Sequence, residues 1–600
     1  MNDFAHPLFL GVRNSALGRP WRDRLDGPSL ARSEALTLQE GLTDVLARVL
    51  AARGVGPADL ASYLEPRLRD LLPDPDTLTA MPEATARLVH AVRHGEKVAI
   101  FGDYDVDGAC SAALMSDALK RLGASPRIHI PDRITEGYGP TVEAVRMLSA
   151  EGATLLVTVD CGTTSLEPLA EASRLGMDVV VIDHHQAPVA LPQAIAIVNP
   201  NRQDDMSGLG HLCAAGVVFV TLIALHRSLR RSGFFKNQVE PDLLSELDLV
   251  ALATVADVVP LTGLNRAFVR QGLGIMRART RPGLTALIAV SGLNGPLAAW
   301  HLGFALGPRI NAGGRIGDAS LGARLLTERD ESAAMRMAQE LDALNRARQD
   351  IERLAVEEGI EQGERQIASD PDASLVFAMS ADWHPGVVGL VAARLKERFN
   401  RPAFALALDE KGRATGSGRS IIGVDLGRAV RAAVEAGAAL KGGGHAMAAG
   451  VTLEPAQLEV FHARLSMALA TDVGLSRAAD ALMIDSALTA GGARPALVHE
   501  LEKAGPFGQG SPEPCFVLPS HRLIEATIVG AGGHIRIKAR SGDGATIGGI
   551  AFRASNSPLG QTLLAARGEP LHLAGTLTLD RWGGGERVEL RLADAALPAR

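Results

Sequence analysis

From residue 97 onward, short and wholly apolar runs alternate with longer segments in which apolar residues recur every three or four positions. The runs are "KVAIF", "PRIHIP", "TLLVTV", "DVVVI" and "AIAIV", and between them stand "CSAALMSDALKRLG", "TVEAVRMLSAEG" and "SLEPLAEASRLGM". Strands with no polar side, separated by helices, predict a parallel sheet covered on both faces. This α/β domain is expected over residues 91–275, behind a mostly helical segment over 1–90. Residues 276–369 read as a connecting loop and then one long charged helix, because "TERDESAAMRMAQELDALNRARQDIERLAVEEGIEQGERQ" holds no proline and is dominated by helix formers. A second α/β unit is expected over 370–472, with strands near "SLVFAMS" and "PAFALAL". Over 476–600 the pattern turns to short strands, "HRLIEATIVG", "HIRIKAR", "TIGGIAF", "LHLAGTLTL" and "RVELRL", which predict a small β-barrel.

Composition narrows the class without naming a chemistry. A chain of 600 residues is too long for one core. Its 46% apolar and 22% charged residues are ordinary for a soluble globular protein, and a net charge of -7 gives no bulk attraction for nucleic acid. Any anion-binding surface must therefore be a local cluster. The four cysteines form no C-x-x-C pair, which argues against a disulfide framework or a zinc site. The first residues lack the basic-then-apolar order of a signal peptide. The longest apolar stretch, "LCAAGVVFVTLIAL", is too short for a bilayer and reads as a buried helix. A cytoplasmic protein without a membrane partner is expected.

The chemistry collects where the strands stop. "VAIFGDYDVD" ends in Asp103, Asp105 and Asp107, "LLVTVD" in Asp160, and "VVVIDHH" in Asp183, His184 and His185. Asp257 follows the apolar helix in "LVALATVADVVPLT". In an open parallel sheet, functional groups gather beyond the carboxyl ends of the strands. Crowded carboxylates are costly unless cations hold them together, and oxygen ligands with one or two imidazoles suit manganese or magnesium better than zinc. Two such ions can drive phosphodiester hydrolysis. Taken singly, each aspartate has a bland reading as a helix cap or turn residue, Asp183 included, and His185 has one as a hydrogen-bonding support outside the metal shell. Chance placement of four such segments on one rim is the weaker account.

"DYDVDG", "VDCGTTS", "VIDHH" and "ATVADVVPLTG" resemble, in order, the four motifs of the DHH phosphoesterase superfamily. With "IPDRITEGYG", "GPRINAGGRIGDA", "DWHPGVVGLVAAR" and "LKGGGHAMAAG", the chain resembles the superfamily's bacterial single-strand-specific exonucleases over about residues 40–595. The resemblance implies a DHH domain, a DHH-associated (DHHA1) domain and an OB-fold barrel. It also implies a site with two Mn2+ or Mg2+ ions, one held by Asp103, Asp105 and Asp160, the other by Asp107, Asp160, His184 and Asp257. His185 would meet the scissile phosphate or orient a ligand. Other branches often carry a histidine where this chain has Phe101, and Asp103 would take its place. The implied activity is 5′→3′ degradation of single-stranded DNA to mononucleotides in repair and recombination. A helicase and a single-strand-binding protein are candidate partners, and a monomer is the favoured state. Two alternatives remain: a phosphodiesterase on short oligonucleotides or cyclic dinucleotides, and a non-catalytic nucleic-acid scaffold.

Candidate substrate contacts lie further along. "GRATGSGRSIIG" sets Ser417, Arg419 and Ser420 beside glycines that would let backbone N–H groups approach an anion. "KGGGHAMAAG" offers Gly442, Gly443, Gly444 and His445, or a plain turn with an exposed histidine. Arg309, Asn311 and Arg315 would form a phosphate contact in the connecting loop, or merely pair with acidic helices. Arg133 in "IPDR" is a further candidate. Trp383 and His384 would meet a nucleotide, or only pin a helix. In the barrel, His534, Arg536, Lys538 and Arg540 fall on one strand face, a phosphate track or a charged edge strand.

Overall fold

The computed structural model describes residues 6–133, 135–530, 532–580 and 585–598. It divides into two compact units, Leu72–Val259 with Phe268–Ala479, and Met1–Leu71 with Pro260–Ala267 and Asp480–Arg600. Residues 1–90 are thus shared: Gly27–Glu40 and Asp44–Ala51 pack in the second unit, and the helix Met81–His94 in the first.

In the first unit the five apolar runs form one parallel sheet, ordered Arg127–His129, Val98–Gly102, Leu155–Val159, Asp178–Ile182, Ala196–Val198. Every residue of Val98–Gly102 and Leu155–Val159 is buried, as their wholly apolar sequences require. Those two strands lie side by side although the chain visits Arg127–His129 between them. The order therefore reverses there, and a crevice opens at their carboxyl ends. The apolar stretch in "LCAAGVVFVTLIAL" becomes the buried helix Ala214–Arg231. Among the described residues, no helix is long and apolar enough to cross a membrane.

The expected connecting loop is a correction. Residues 282–327 are largely helical, through Pro282–Val290, a π turn at Leu302–Leu306, Gly307–Ile316 and Leu321–Thr327. "GPRINAGGRI" is helix, and its glycines serve close packing: a β-carbon on Gly314 would stand 2.8 Å from the Tyr104 carbonyl oxygen. The long helix, Glu331–Ser369, follows. It buries Ala355 against Trp383, Val391 and Leu395 of the second sheet's layer. That sheet is mixed, ordered Lys441–His445, Ala448–Leu453, Ala414–Arg419, Ala403–Leu408, Val376–Ser380, with only the last pair parallel.

The second unit holds a closed five-stranded barrel, Phe516–Val529, His534–Arg540, Thr546–Ala551, Arg587–Ala596 and Pro570–Asp580, which pairs back onto the first strand. Along His534–Arg540 the exposed Arg536, Lys538 and Arg540 alternate with buried Ile535, Ile537 and Ala539. This strand is paired on both sides, so the charged-edge reading fails and its basic face is a surface of the barrel wall.

Candidate active site

The first motif turns as tightly as its glycine allows. Asp103 follows the strand Val98–Gly102, and a β-carbon on Gly108 would collide with the Asp103 backbone. Asp105 caps the helix Val106–Arg121, its Oδ1 accepting the Gly108 N–H at 3.0 Å. The bland capping role and a ligand role are compatible here, because a carboxylate has a second oxygen. Asp107 is fully buried, and its two oxygens accept the N–H groups of Ala214 and Ala215 at 2.6 and 2.8 Å. The positive end of an 18-residue helix thus faces one of the candidate ligands. Asp160 follows Leu155–Val159 with φ +61, a left-handed conformation, and Asp257 closes the helix Leu247–Ala256.

These side chains converge. Ligand atoms of Asp103, Asp105 and Asp160 lie within 4.8 Å of one another, as do those of Asp107, His184 and Asp257, and those of Asp160, His184 and His185. His184 Nε2 is 3.3 Å from Asp160 Oδ1 and 3.8 Å from Asp107 Oδ2. Its Nδ1 is 3.1 Å from the Leu212 carbonyl oxygen, which only an N–H can satisfy, so Nε2 presents its lone pair to the carboxylates. Phe101 is buried in the apolar core that includes Val145 and Leu148.

The electrostatics are those that a bound cation would relieve. Burial, with repulsion from neighbouring carboxylates, pushes Asp103, Asp107, Asp160 and Asp257 above the ordinary carboxylate pKa. Oδ1 of Asp103 and Oδ1 of Asp160 are buried without any hydrogen-bond partner. Buried acceptors of that kind are expensive unless something positive meets them. Carboxylate oxygens with one imidazole form the donor set of Mn2+ or Mg2+, so the residues fit such ions.

Asp183 turns inward. Its Oδ1 accepts the N–H groups of His184 and His185 at 2.7 and 3.2 Å, and its Oδ2 accepts that of Thr163 at 3.1 Å. Its Oδ1 also lies 2.8 Å from Nδ1 of His185. Burial opposes charge on His185, but the Asp183 carboxylate, aided by Asp257 and Asp105, raises its pKa to about 9. The Tyr138 hydroxyl lies 3.1 Å from His185 Nδ1 and donates to the Asp160 carbonyl at 3.2 Å. Sequence reasoning missed Tyr138, whose only signal was an aromatic between glycines in "EGYGP".

The second sheet brings cations to the same region. Ser417 and Arg419 lie over Gly389, at the start of the helix Val388–Phe399, where a β-carbon would stand 3.5 and 3.0 Å from them. Arg133 lies over the Tyr104 ring, 5.1 Å from its centroid. Burial, then Arg133, Arg348 and Arg419, holds the Arg315 pKa down at about 10. Burial and Arg133 lower that of Arg419. Like charges so arranged would be relieved by an anion. Arg315 Nη1 donates to the Gly386 carbonyl at 2.9 Å, and a β-carbon on Gly386 would collide with the Arg315 carbonyl in return. His445 reaches the carboxylate cluster, its ring centroid 6.2 Å from that of His185. It stands on a strand of the hairpin Lys441–Leu453 rather than in a plain turn, with Gly443 open around its Cα and Gly444 pressed on Ala448.

Other candidates are turned elsewhere. Ser420 is buried and donates to the Val424 carbonyl at 2.7 Å, a local tie within its own turn. Arg309 is held by Asp342 of the long helix at 2.9 Å, the acidic-helix pairing. Asn311 stands half-buried beside Arg309 on the helix Gly307–Ile316. Trp383 is a core residue whose indole N–H donates to Glu358 at 2.7 Å, and His384 Nδ1 accepts the Gly386 N–H. The glycines at 416 and 418 do not cradle an anion: side chains there would run into Ala405 and the Phe404 ring.

Three family models match the chain: the DHH family, N-terminal domain, over residues 97–254, the DHHA1 domain over 372–471, and the RecJ OB domain over 484–594. The single-stranded-DNA-specific exonuclease RecJ of Dickeya dadantii is 40% identical over 524 residues, covering 86% of this chain and 90% of that protein. The crystal structure of RecJ in complex with Mn2+ from Thermus thermophilus is 30% identical with a TM-score of 0.77, covering 95% of this chain and 78% of that one. The Mg2+ complex from the same organism is 28% identical with a TM-score of 0.71, covering 95% and 77%.

Proposed function

This chain belongs to the RecJ family of single-stranded-DNA-specific exonucleases, and from that premise we propose which of its residues carry the reaction. It is a phosphodiester hydrolase acting on single-stranded DNA, and its relatives bind Mn2+ and Mg2+. Asp103, Asp105 and Asp160 would hold one ion, and Asp107, Asp160, His184 and Asp257 the other. The partnerless buried oxygen of Asp160, 3.3 Å from His184 Nε2, supports this reading, and Asp160 also groups with Asp103 and Asp105. Bound divalent ions supply Lewis acidity toward water and the scissile phosphate. Asp183 fixes His185 beside that phosphate with its charge in place, and Tyr138 limits the ring's rotation. Arg133, Arg315, Arg419 and Ser417 grip the 5′-terminal phosphate, which gives 5′→3′ polarity and release of mononucleotides. His445, with Gly443 and Gly444, closes the substrate side.

In this reading the DHH domain spans residues 91–275, the DHHA1 domain 370–472 and the OB domain 476–600, with the barrel binding the trailing strand. The protein works in the cytoplasm as a monomer in repair and recombination, on strands opened by a helicase and covered by single-strand-binding protein. Incubation with Mn2+ and a long 5′-phosphorylated single strand should release mononucleotides from the 5′ end. Release from the 3′ end, or full activity in Asp160→Ala, would overturn the assignment.

A further inference from the structure

Away from the crevice, one charge is buried deeply enough to need a reason. Arg281 is 5% exposed, and its guanidinium donates to Asp248 at 2.8 Å, to Asp117 at 3.0 Å and to Glu246 at 2.5 Å. All three carboxylates are themselves buried. Arg329 meets Asp117 at 2.6 Å and Arg121 meets Glu246 at 2.6 Å, so three arginines balance three acids. Arg281 Nη1 also donates to the Leu326 carbonyl at 3.2 Å, and a β-carbon on Gly283 would collide with the Leu325 carbonyl oxygen, so the backbone next to Arg281 is held as closely as its tip. Taking such charges out of water is costly, and apolar residues of the same volume would hold a fold as well or better. What apolar residues lack is direction, which a planar fork of N–H donors supplies.

The two helices that this fork joins are the ones that carry Asp107 and Asp257. Asp107 stands in the first turn of Val106–Arg121, and Asp117 ten residues further along it. Asp248 stands in the first turn of Leu247–Ala256, and Asp257 caps its end nine residues later, its N–H donating to the Ala253 carbonyl at 2.9 Å. At about 1.5 Å per residue these spans are about 15 and 14 Å, equal to within one residue. The helices therefore lie antiparallel. Asp107 and Asp257 meet His184 at one end, and Asp117 and Asp248 meet Arg281 at the other. The helices pack together, and every residue from Leu249 to Ala253 is apolar and buried. Contacts of that kind are non-directional and resist separation more than sliding. A slip of one residue would carry Asp257 about 1.5 Å past Asp107, whereas ligand distances in a metal shell hold to about 0.2 Å.

We propose that Arg281 is a positioning residue for the ion held by Asp107, His184 and Asp257, setting the register of the two helices from the ends remote from the site. The proposal rests on the ligand assignment given above. It singles out that ion because Asp257 is the one ligand carried by Leu247–Ala256. Asp103, Asp105 and Asp160 follow two strands paired with each other in the sheet, so a slip of that helix leaves them in place.

Calorimetric titration of the full metal-free chain with Mn2+ tests it, on wild type, Arg281→Lys and Asp248→Asn. The first variant keeps the charge and loses the fork; the second keeps the shape and loses the ion pair to one helix. Wild type should bind two ions. Each variant should bind one ion as wild type does and the other about tenfold more weakly. The Mn2+ needed for half-maximal rate should rise by the same factor, with KM for the strand unchanged and kcat restored at saturating Mn2+. A hub that served stability alone would lower Tm and the active fraction at every Mn2+ concentration while both ion affinities stayed at the wild-type level, and that result overturns the proposal. So does equal weakening of both ions. Should circular dichroism show Arg281→Lys unfolded, Asp248→Asn is read with the same expectation, and loss of the fold in both variants would overturn the positioning role in favour of a structural one. A wild type that binds no Mn2+ would overturn the ligand assignment itself.

Discussion

The carboxylate of Asp107 closes the first turn of a helix that begins at Ala214, 107 residues later in the chain, accepting the Ala214 N–H at 2.6 Å. With the Ala215 N–H at 2.8 Å it occupies both of its oxygens. Asp160 is the opposite case, a buried carboxylate whose Oδ1 has no partner. The two should respond differently to loss of charge. In the metal-free protein, Asp160→Asn relieves repulsion and suits the left-handed backbone, which asparagine tolerates well. Asp107→Asn relieves repulsion too but sacrifices an amide–carboxylate contact at a helix N-terminus. Thermal unfolding in EDTA should show Asp160→Asn gaining stability and Asp107→Asn gaining about 1–2 kcal/mol less. Equal gains would mean that the helix terminus contributes nothing at Asp107.

Metal binding should reverse the order. At Mn2+ a hundredfold above its dissociation constant, wild type should gain about 2.7 kcal/mol of stability. Asp160→Asn should lose most of that gain together with several orders of magnitude in turnover. Retention of the full Mn2+-induced shift in Tm would remove Asp160 from the metal shell.

On the proposed reading, end recognition is carried by separate residues. Arg419→Ala should lower kcat/KM roughly ten- to hundredfold on 5′-phosphorylated strands, as expected for loss of a charged contact worth about 1.5–3 kcal/mol. Discrimination between 5′-phosphate and 5′-hydroxyl ends should fall with it. If the ratio of the two kcat/KM values stays at the wild-type level, Arg419 does not touch the terminal phosphate.

The barrel's basic face predicts a salt effect rather than a rate effect. Replacing Arg536, Lys538 and Arg540 together by alanine should reduce the slope of log affinity against log salt for long single strands by about 2. The barrel core of Ile535, Ile537 and Ala539 lies on the other face of the strand and should be untouched, which circular dichroism can check. An unchanged slope would exclude this face as the phosphate track.

The acidic rim was legible because it depends on local order: an apolar run marks a buried strand, and the residue after it marks the rim. Asp103, Asp160 and the histidines after Ile182 needed no tertiary knowledge beyond that. What surrounds them did need it. Nothing near Asp107 announces that the amides of a distant helix will receive its carboxylate, and nothing in "DWHPG" says that Trp383 faces the long helix and not the substrate. Glycine misled in "GRATGSGRS", where it was read as backbone freedom, whereas Gly416 and Gly418, like Gly314, make room for a neighbour already packed there. Periodicity reports which side of an element is buried, not what lies against it.

Gly386 turns such a close approach into a gauge. Its carbonyl takes the Arg315 guanidinium, while the Arg315 carbonyl occupies the space where a side chain on 386 would begin. On the proposed reading, the gap between the end-gripping arginines and the aspartates is the step taken along the strand at each cut. A single methyl group at 386 would act as a shim in that gap. On that reading, the length of the product would be set at a position where the chain carries nothing but hydrogen.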